Sequence, residues 1–226
     1  MEEFYFDSND KKSKLHAVKW IPECEKPVSI LQIVHGMAEY IDRYDGFATF
    51  LAERGILVVG DDHLGHGKSL GENGTKGYFC EGSADKILVE DEQTLKKIMQ
   101  QEYPDVPYFI FGHSMGSFIT RNYLAQYGNE VQGAVICGTG MQAKGLLQFS
   151  LGLTKVLKLF QGDEHPSNLL NVAAFGSYCK KIDNAKTVFD WLSHDDAVVN
   201  AYIADPDCGF TFTINGFRTM FQLIFN

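Results

Sequence analysis

The chain has 226 residues, of which 45% are hydrophobic and 22% charged, enough for one sizeable core and a small inserted lobe. A net charge of −9 disfavours nucleic acid as a partner, because phosphate recognition needs a basic surface. Five cysteines without a CxxC pair argue against a disulfide framework or a zinc site and fit a reducing compartment. The N-terminus MEEFYFDSNDKKSK lacks the basic-then-apolar layout of a signal peptide, and no run of about 18 apolar residues is present. The expected location is the cytoplasm.

Short apolar runs alternate with helical patterns, which predicts βαβ units and an α/β fold with a mostly parallel sheet. Residues 3–6 and 14–20 read as an early hairpin at a sheet edge, and 28–34 (VSILQIV) as a buried strand. The pattern predicts a helix over 40–54 that stops at Gly55 and a buried strand over 56–60. A glycine-rich loop, 61–77, precedes a helix over 83–101, with Ser83 as its N-cap. A strand over 107–111, a helix over 115–127 closed by Gly128, and a strand over 131–137 complete the regular part.

From about Thr139 the pattern changes to helices alone. Residues 1–138 read as the core, 139–216 as a helical lid, and 217–226 as the start of a return to the core. Over 144–160, Leu146, Phe149, Leu153, Val156, Leu157 and Phe160 fall at helical spacing and predict one apolar stripe, either packed inward or lining an acyl-chain mouth. Phe175, Phe189, Trp191, Tyr202 and Phe210 add aromatic surface to the same lobe.

Gly112-His113-Ser114-Met115-Gly116 has the form G-x-S-x-G, between the apolar strand PYFIF and the helix SFITRNYLAQY. A nucleophile at the tip of a strand-to-helix turn needs small residues two before and two after it, since the flanking backbone approaches closely. Ser114 is therefore the candidate nucleophile, and the N–H of Met115 one donor of an oxyanion hole. The second donor is expected from the loop after 28–34, His35-Gly36-Met37-Ala38-Glu39, with Gly36 turning the backbone inward and Met37 donating. His35, Gly36, Gly112, His113 and Gly116 are the supporting turn residues. Asp62, His63 and His66 in the loop after the next strand are read as satisfying their own backbone, and no metal is expected there.

Three stretches, HGMAEY (35–40), DHLGHGKS (62–69) and GHSMG (112–116), together resemble the monoacylglycerol lipase and lysophospholipase branch of the serine α/β-hydrolases, and ADPDCGF (204–210) is similar to a lid segment of that branch. The resemblance implies an α/β-hydrolase fold with an inserted helical lid and a cofactor-free Ser-Asp-His enzyme that cleaves carboxylic esters of lipids such as monoacylglycerol or lysophospholipid. It also implies transient contact of the lid with a membrane surface. In this fold the chain order is Ser, then acid, then His, so the acid, the base and the last strands are expected beyond Asn226, and the chain as it stands reads as truncated and nearly inactive. Among the histidines in hand, His165 and His194 lie in the lid; His194, followed by Asp195 and Asp196, reads more simply as an exposed helix start. A short-chain carboxylesterase or proline-type aminopeptidase on the same scaffold, and an inert binding scaffold, are the competing readings.

Overall fold

The computed structural model describes residues 1–24 and 26–226. A six-stranded mixed sheet carries the fold, in the order β1-β2-β4-β3-β5-β6. The strands are β1 (Glu2–Asp7), β2 (Lys14–Trp20), β3 (Ser29–Val34), β4 (Ile56–Asp61), β5 (Tyr108–His113) and β6 (Gly133–Cys137). β1 pairs antiparallel with β2, and β2 with β4; β4, β3, β5 and β6 run parallel. The expected edge hairpin and parallel centre are both present.

The helices are α1 (Asp45–Ala52), α2 (Ala84–Glu102), α3 (Met115–Tyr127), α4 (Lys144–Gln161), α5 (Asn168–Phe175), α6 (Asp196–Ala204) and α7 (Ile214–Phe225). Central strands are apolar on both sides because helices cover both faces. Ile30, Val34, Leu57, Val59, Tyr108 and Ile110 point toward α2, α3 and α7, where Leu88, Leu95, Met99, Ile119, Tyr123, Phe217 and Leu223 complete the larger core. The alternate residues Ile33 and Val58 meet Ile41 and Ala48 in a smaller core on the α1 side. The two-residue period of the strands thus sorts one sequence into two cores.

Three local expectations are corrected. The helix expected over 40–54 is a 3-10 turn, Ile41–Tyr44, followed by the short α1. The Asp62 carboxylate caps the start of this turn by accepting from the Ile41 N–H at 2.8 Å. Ser83 precedes α2, but its side chain makes no capping hydrogen bond. The stripe expected on α4 is divided: Leu153 and Leu157 pack against the larger core, whereas Leu146, Phe149, Val156 and Phe160 are exposed, joined by Leu159. The inward face of α4 instead includes Leu147 and Thr154, because docking along α7 selects that side.

β6 forms one edge of the described sheet, and Val135 on it is exposed. α7 opens at Ile214 with Thr213 as N-cap, the hydroxyl accepting from Gly216 N–H at 3.1 Å. No helix among the described residues is long and apolar enough to cross a membrane.

Phe217 is fully buried and Phe160 is 83% exposed. Phe217→Ala is expected to cost about 3–5 kcal/mol, and Phe160→Ala less than about 0.5 kcal/mol, when urea-unfolding midpoints are compared. Equal effects would show that α7 does not carry the core.

Candidate active site

β5 ends at His113 and α3 begins at Met115, leaving Ser114 alone in the turn with φ +52° and ψ −118°. A non-glycine residue there stores on the order of 1–3 kcal/mol of strain, which surrounding structure must hold in place. A Cβ on Gly116 would come within 2.0 Å of the Val34 carbonyl oxygen and 2.5 Å of that of His35. A Cβ on Gly112 would meet Thr120 Oγ1 at 2.3 Å. The G-x-S-x-G spacing is therefore the condition for α3 to lie against the end of β3. Ser114 N–H donates to the Cys137 carbonyl at 2.9 Å, and Ser117 donates to the Ser114 carbonyl through both N–H and hydroxyl. Among the described residues the Ser114 hydroxyl has no hydrogen-bond partner, and the side chain is half-buried.

The loop after β3 comes to the same point. A Cβ on Gly36 would lie 3.1 Å from Ser114 Cβ and 2.5 Å from Glu39 Oε1, so only glycine fits beside the serine. Glu39 is buried and folds back on its own loop: Oε1 accepts from Gly36 N–H at 2.6 Å and from the Tyr44 hydroxyl at 2.9 Å. His113 Nδ1 lies 3.1 Å from the same oxygen and 2.9 Å from the Tyr44 hydroxyl, while Arg43 pairs with Oε2. Burial opposes ionisation of Glu39, but His113 and Arg43, with Tyr44, outweigh it and hold the carboxyl below its ordinary value. His113 thus points to Glu39 and away from the Ser114 hydroxyl.

Ala38 takes φ +52°, and its backbone is held from both directions. Its N–H donates to His66 Nε2 at 3.3 Å. Its carbonyl accepts from the Tyr202 hydroxyl and from Gly209 N–H, each at 3.0 Å. Tyr40 donates to Asp205 at 2.7 Å. The segment 204–210 is therefore fastened to the loop beside Ser114. No acceptor among the described residues takes the N–H of Met37 or of Met115, which leaves both free for a ligand oxygen.

His35, His63 and His66 stand behind the loop. His35 and His63 stack with centroids 3.9 Å apart. His35 Nδ1–H donates to the Gly36 carbonyl at 2.8 Å, and Nε2 accepts from His63 N–H at 3.0 Å. His66 Nδ1–H donates to the Leu64 carbonyl at 2.9 Å. Burial pushes His35 well below its ordinary value and His66 down to about 4, with the neighbouring histidines adding to both; neutral rings suit this packing. Asp62 accepts from Ile41 N–H at 2.8 Å and Lys68 N–H at 2.9 Å, with His16 Nδ1 at 2.9 Å. The polar atoms of Asp62 and His66 are spent on the loop, as expected for those residues.

His165 and His194 are exposed in the region after β6, and neither is hydrogen-bonded to Ser114 among the described residues. Asp195 caps α6, accepting from Ala197 N–H at 2.8 Å, and Asp196 occupies its first turn, which is the expected helix start. The lid aromatics pack on one another: Phe175 stacks with Trp191, Phe189 lies against Tyr202, and Phe210 stacks with Phe212. Neither Glu39, Arg43 and Tyr44 nor Tyr202 was expected at the site. The one signal for Glu39 was an acid inside an otherwise small and apolar loop.

The sequence profile described as "Serine aminopeptidase, S33" matches residues 25–225. The chain belongs to this family of serine α/β-hydrolases. Monoacylglycerol lipases are among the relatives it resembles. It is 32% identical to a monoacylglycerol lipase of Mycolicibacterium smegmatis over 187 residues, covering 83% of this chain and 58% of that one. It is 30% identical to the Mus musculus monoglyceride lipase over 180 residues, covering 80% and 52%. The chain thus spans a little over half the length of these curated relatives. Among solved structures, a thermostable carboxyl esterase from Bacillus coagulans, in complex with glycerol, superposes with a TM-score of 0.88 at 34% identity over 99% of this chain and 72% of that one. The chain is a member of an ester-hydrolase family, built on its α/β fold.

Glu39 is ionised in the folded state at a pKa below 4.5, so its contribution is complete above about pH 4.5 and is lost as pH falls through the lowered value. Glu39→Gln is expected to cost about 1–3 kcal/mol at pH 7, with the gap to the wild type closing below pH 4.5 in urea titrations. A gap independent of pH would mean that the charge does not hold the loop.

Proposed function

We propose that the chain supplies the nucleophile and oxyanion side of a lipid ester hydrolase, with Ser114 attacking the ester carbonyl and an acyl-enzyme forming on its oxygen. The observation that carries this reading is the strained strand-to-helix turn at Ser114, with Gly36 packed beside it and the neighbouring N–H groups of Met37 and Met115 without acceptors among the described residues. Both N–H groups would stabilise the negative charge that develops on the carbonyl oxygen, and removing one such donor typically costs about a hundredfold to a thousandfold in kcat. His35, Gly36, Gly112, His113 and Gly116 keep this geometry: the glycines by close approach, His35 by bonding Gly36, and His113 through Glu39.

Lipid substrates are supported by the monoglyceride lipase relatives and by the exposed apolar residues Leu146, Phe149, Val156, Leu159 and Phe160 on α4. Such a face can receive an acyl chain or rest on a lipid surface. Glycerol, bound in the similar Bacillus coagulans esterase, is what remains when a monoacylglycerol loses its acyl group. In this reading residues 1–138 are the core, 139–216 the lid, and 217–226 part of the return to the core.

No base touches Ser114 among the described residues, and an unassisted serine hydroxyl is a weak nucleophile at neutral pH. Turnover by these 226 residues alone is therefore expected to be low. The test uses an alkyl p-nitrophenyl phosphonate, which marks the serine without needing turnover. Slow labelling at Ser114 is expected, one adduct per chain by mass spectrometry, faster with longer alkyl chains and absent in Ser114→Ala. An adduct that survives Ser114→Ala, or labelling indifferent to chain length, would overturn the nucleophile or the lipid specificity respectively. Hydrolysis of p-nitrophenyl butyrate is measured beside it; turnover abolished by Ser114→Ala would show that a base is within reach after all.

A further inference from the structure

Three chemically potent side chains meet in the core behind the Ser114 site without satisfying one another. Asp61 ends β4, His63 follows in the next loop, and Glu92 lies on α2. All three are almost wholly buried. Neither oxygen of Asp61 nor Oε1 of Glu92 has a hydrogen-bond partner among the described residues. Unpaired carboxylate oxygens in the core cost several kcal/mol each if charged, so they are neutralised by protons or by a bound cation.

The arrangement indicates what that is. His63 Nε2 faces the His35 carbonyl at 3.1 Å, and a carbonyl can only accept. Nε2 therefore carries a proton, and in the neutral ring Nδ1 presents a lone pair. That lone pair faces Glu92 Oε1 at 3.4 Å and Asp61 Oδ2 at 3.8 Å, both beyond the usual hydrogen-bond range. All three donor atoms lie within 4.8 Å of one another. Ligands held at 2.0–2.1 Å from one tetrahedral ion are separated by roughly 3.3–3.4 Å. A single proton on Glu92 would serve His63 and leave both Asp61 oxygens bare, whereas one cation takes His63 Nδ1, Glu92 Oε1 and one Asp61 oxygen together.

We propose that Asp61, His63 and Glu92 bind one divalent transition-metal ion of the zinc class. One imidazole nitrogen with two carboxylates suits zinc, whereas magnesium and calcium require more oxygen ligands than this cluster offers. The outer contacts are those of a built site. Gln32 Nε2 donates to Glu92 Oε2 at 2.6 Å, and Tyr108 donates to Gln32 Oε1 at 2.6 Å, fixing the carboxylate that is left with Oε1 open. The His35 carbonyl fixes the His63 tautomer. The ion would tie α2 to the end of β4 and, through the His63–His35 contacts, brace the loop that carries Met37. A water would complete the tetrahedral shell of the three protein ligands, and the enclosed ion would brace the fold rather than meet a substrate at Ser114. The pairing of Asp61 with Glu92, 31 positions apart in sequence, is why no ligand spacing announces the site.

The test uses chain 1–226 stripped with EDTA and titrated with zinc chloride against a chromophoric chelator, with melting followed in parallel. Binding of one equivalent is expected, and at a hundredfold excess over Kd a rise in Tm of roughly 5–10 °C. Glu92→Gln should abolish both, while His194→Ala, at an exposed lid histidine, should change neither. Binding that survives Glu92→Gln but is lost in His194→Ala would overturn the proposal by placing the ion on the surface. Absence of zinc binding, or a Glu92→Gln protein that melts above the wild type with zinc present, would overturn it in favour of a shared proton. Should Glu92→Gln fail to fold, cobalt substitution of the wild type decides. Intense visible bands of a four-coordinate ion support the site, and the weak spectrum of hydrated cobalt overturns it.

Discussion

The close approach of α3 to the end of β3 is the constraint from which the rest of the site follows. With Gly116 against the carbonyl oxygens of Val34 and His35, the chain has no room to pass from β5 into α3 except through a residue at positive φ. Ser114 is that residue. The strain is local, but it is held by contacts drawn from β3, β6 and α3: the Cys137 carbonyl on Ser114 N–H, and the Ser117 bonds on the Ser114 carbonyl. A turn over-determined in this way fixes the side chain before any ligand arrives, which is the form of preorganisation that catalysis by charge stabilisation needs.

Around that turn the protein builds a second layer of support out of polar groups. Glu39 gathers Gly36, Tyr44, His113 and Arg43, and its charge joins the β3 loop, the 3-10 turn and the end of β5 into one unit. The histidines behind the loop work differently. Burial keeps His35 and His66 neutral, so each ring nitrogen has a fixed role as donor or acceptor. The segment 202–209 closes the arrangement from outside, with Tyr202 and Gly209 both bonded to the Ala38 carbonyl. The loop after β3 is thus coupled to that segment and to the core together. Displacing the 204–210 segment would release the one peptide whose positive φ holds the loop turned inward.

The apolar surface tells a complementary story. α4 has a mean character that suits either burial or exposure, and its docking on α7 decided which flank went inward. Leu147, Leu153, Thr154 and Leu157 are covered wholly or in part, while Leu146, Phe149, Val156, Leu159 and Phe160 remain on the outside. A contiguous exposed apolar face of this kind is uncommon on soluble domains unless it meets a partner or lipid.

Strand positions, most helix positions and the turn at Ser114 were legible in the sequence because each depends on neighbours within a few positions. Period-two apolar runs name strands, and G-x-S-x-G names a turn whose sterics are local. The 3-10 turn at Ile41–Tyr44 was not legible; its first N–H is capped by the Asp62 carboxylate, from the end of another strand. The split face of α4 was hidden for the same reason: helical periodicity shows that an apolar stripe exists, and only the partner helix selects its direction. Glu39, Tyr202 and the Asp61–His63–Glu92 cluster acquire meaning solely through residues distant in the chain. The sequence by itself determined the α/β scaffold and the chemical identity of the serine turn, because short-range sterics and hydrophobic periodicity are written locally. The tertiary structure alone decided which polar groups meet in the interior, because burial and distance are set by how the elements pack.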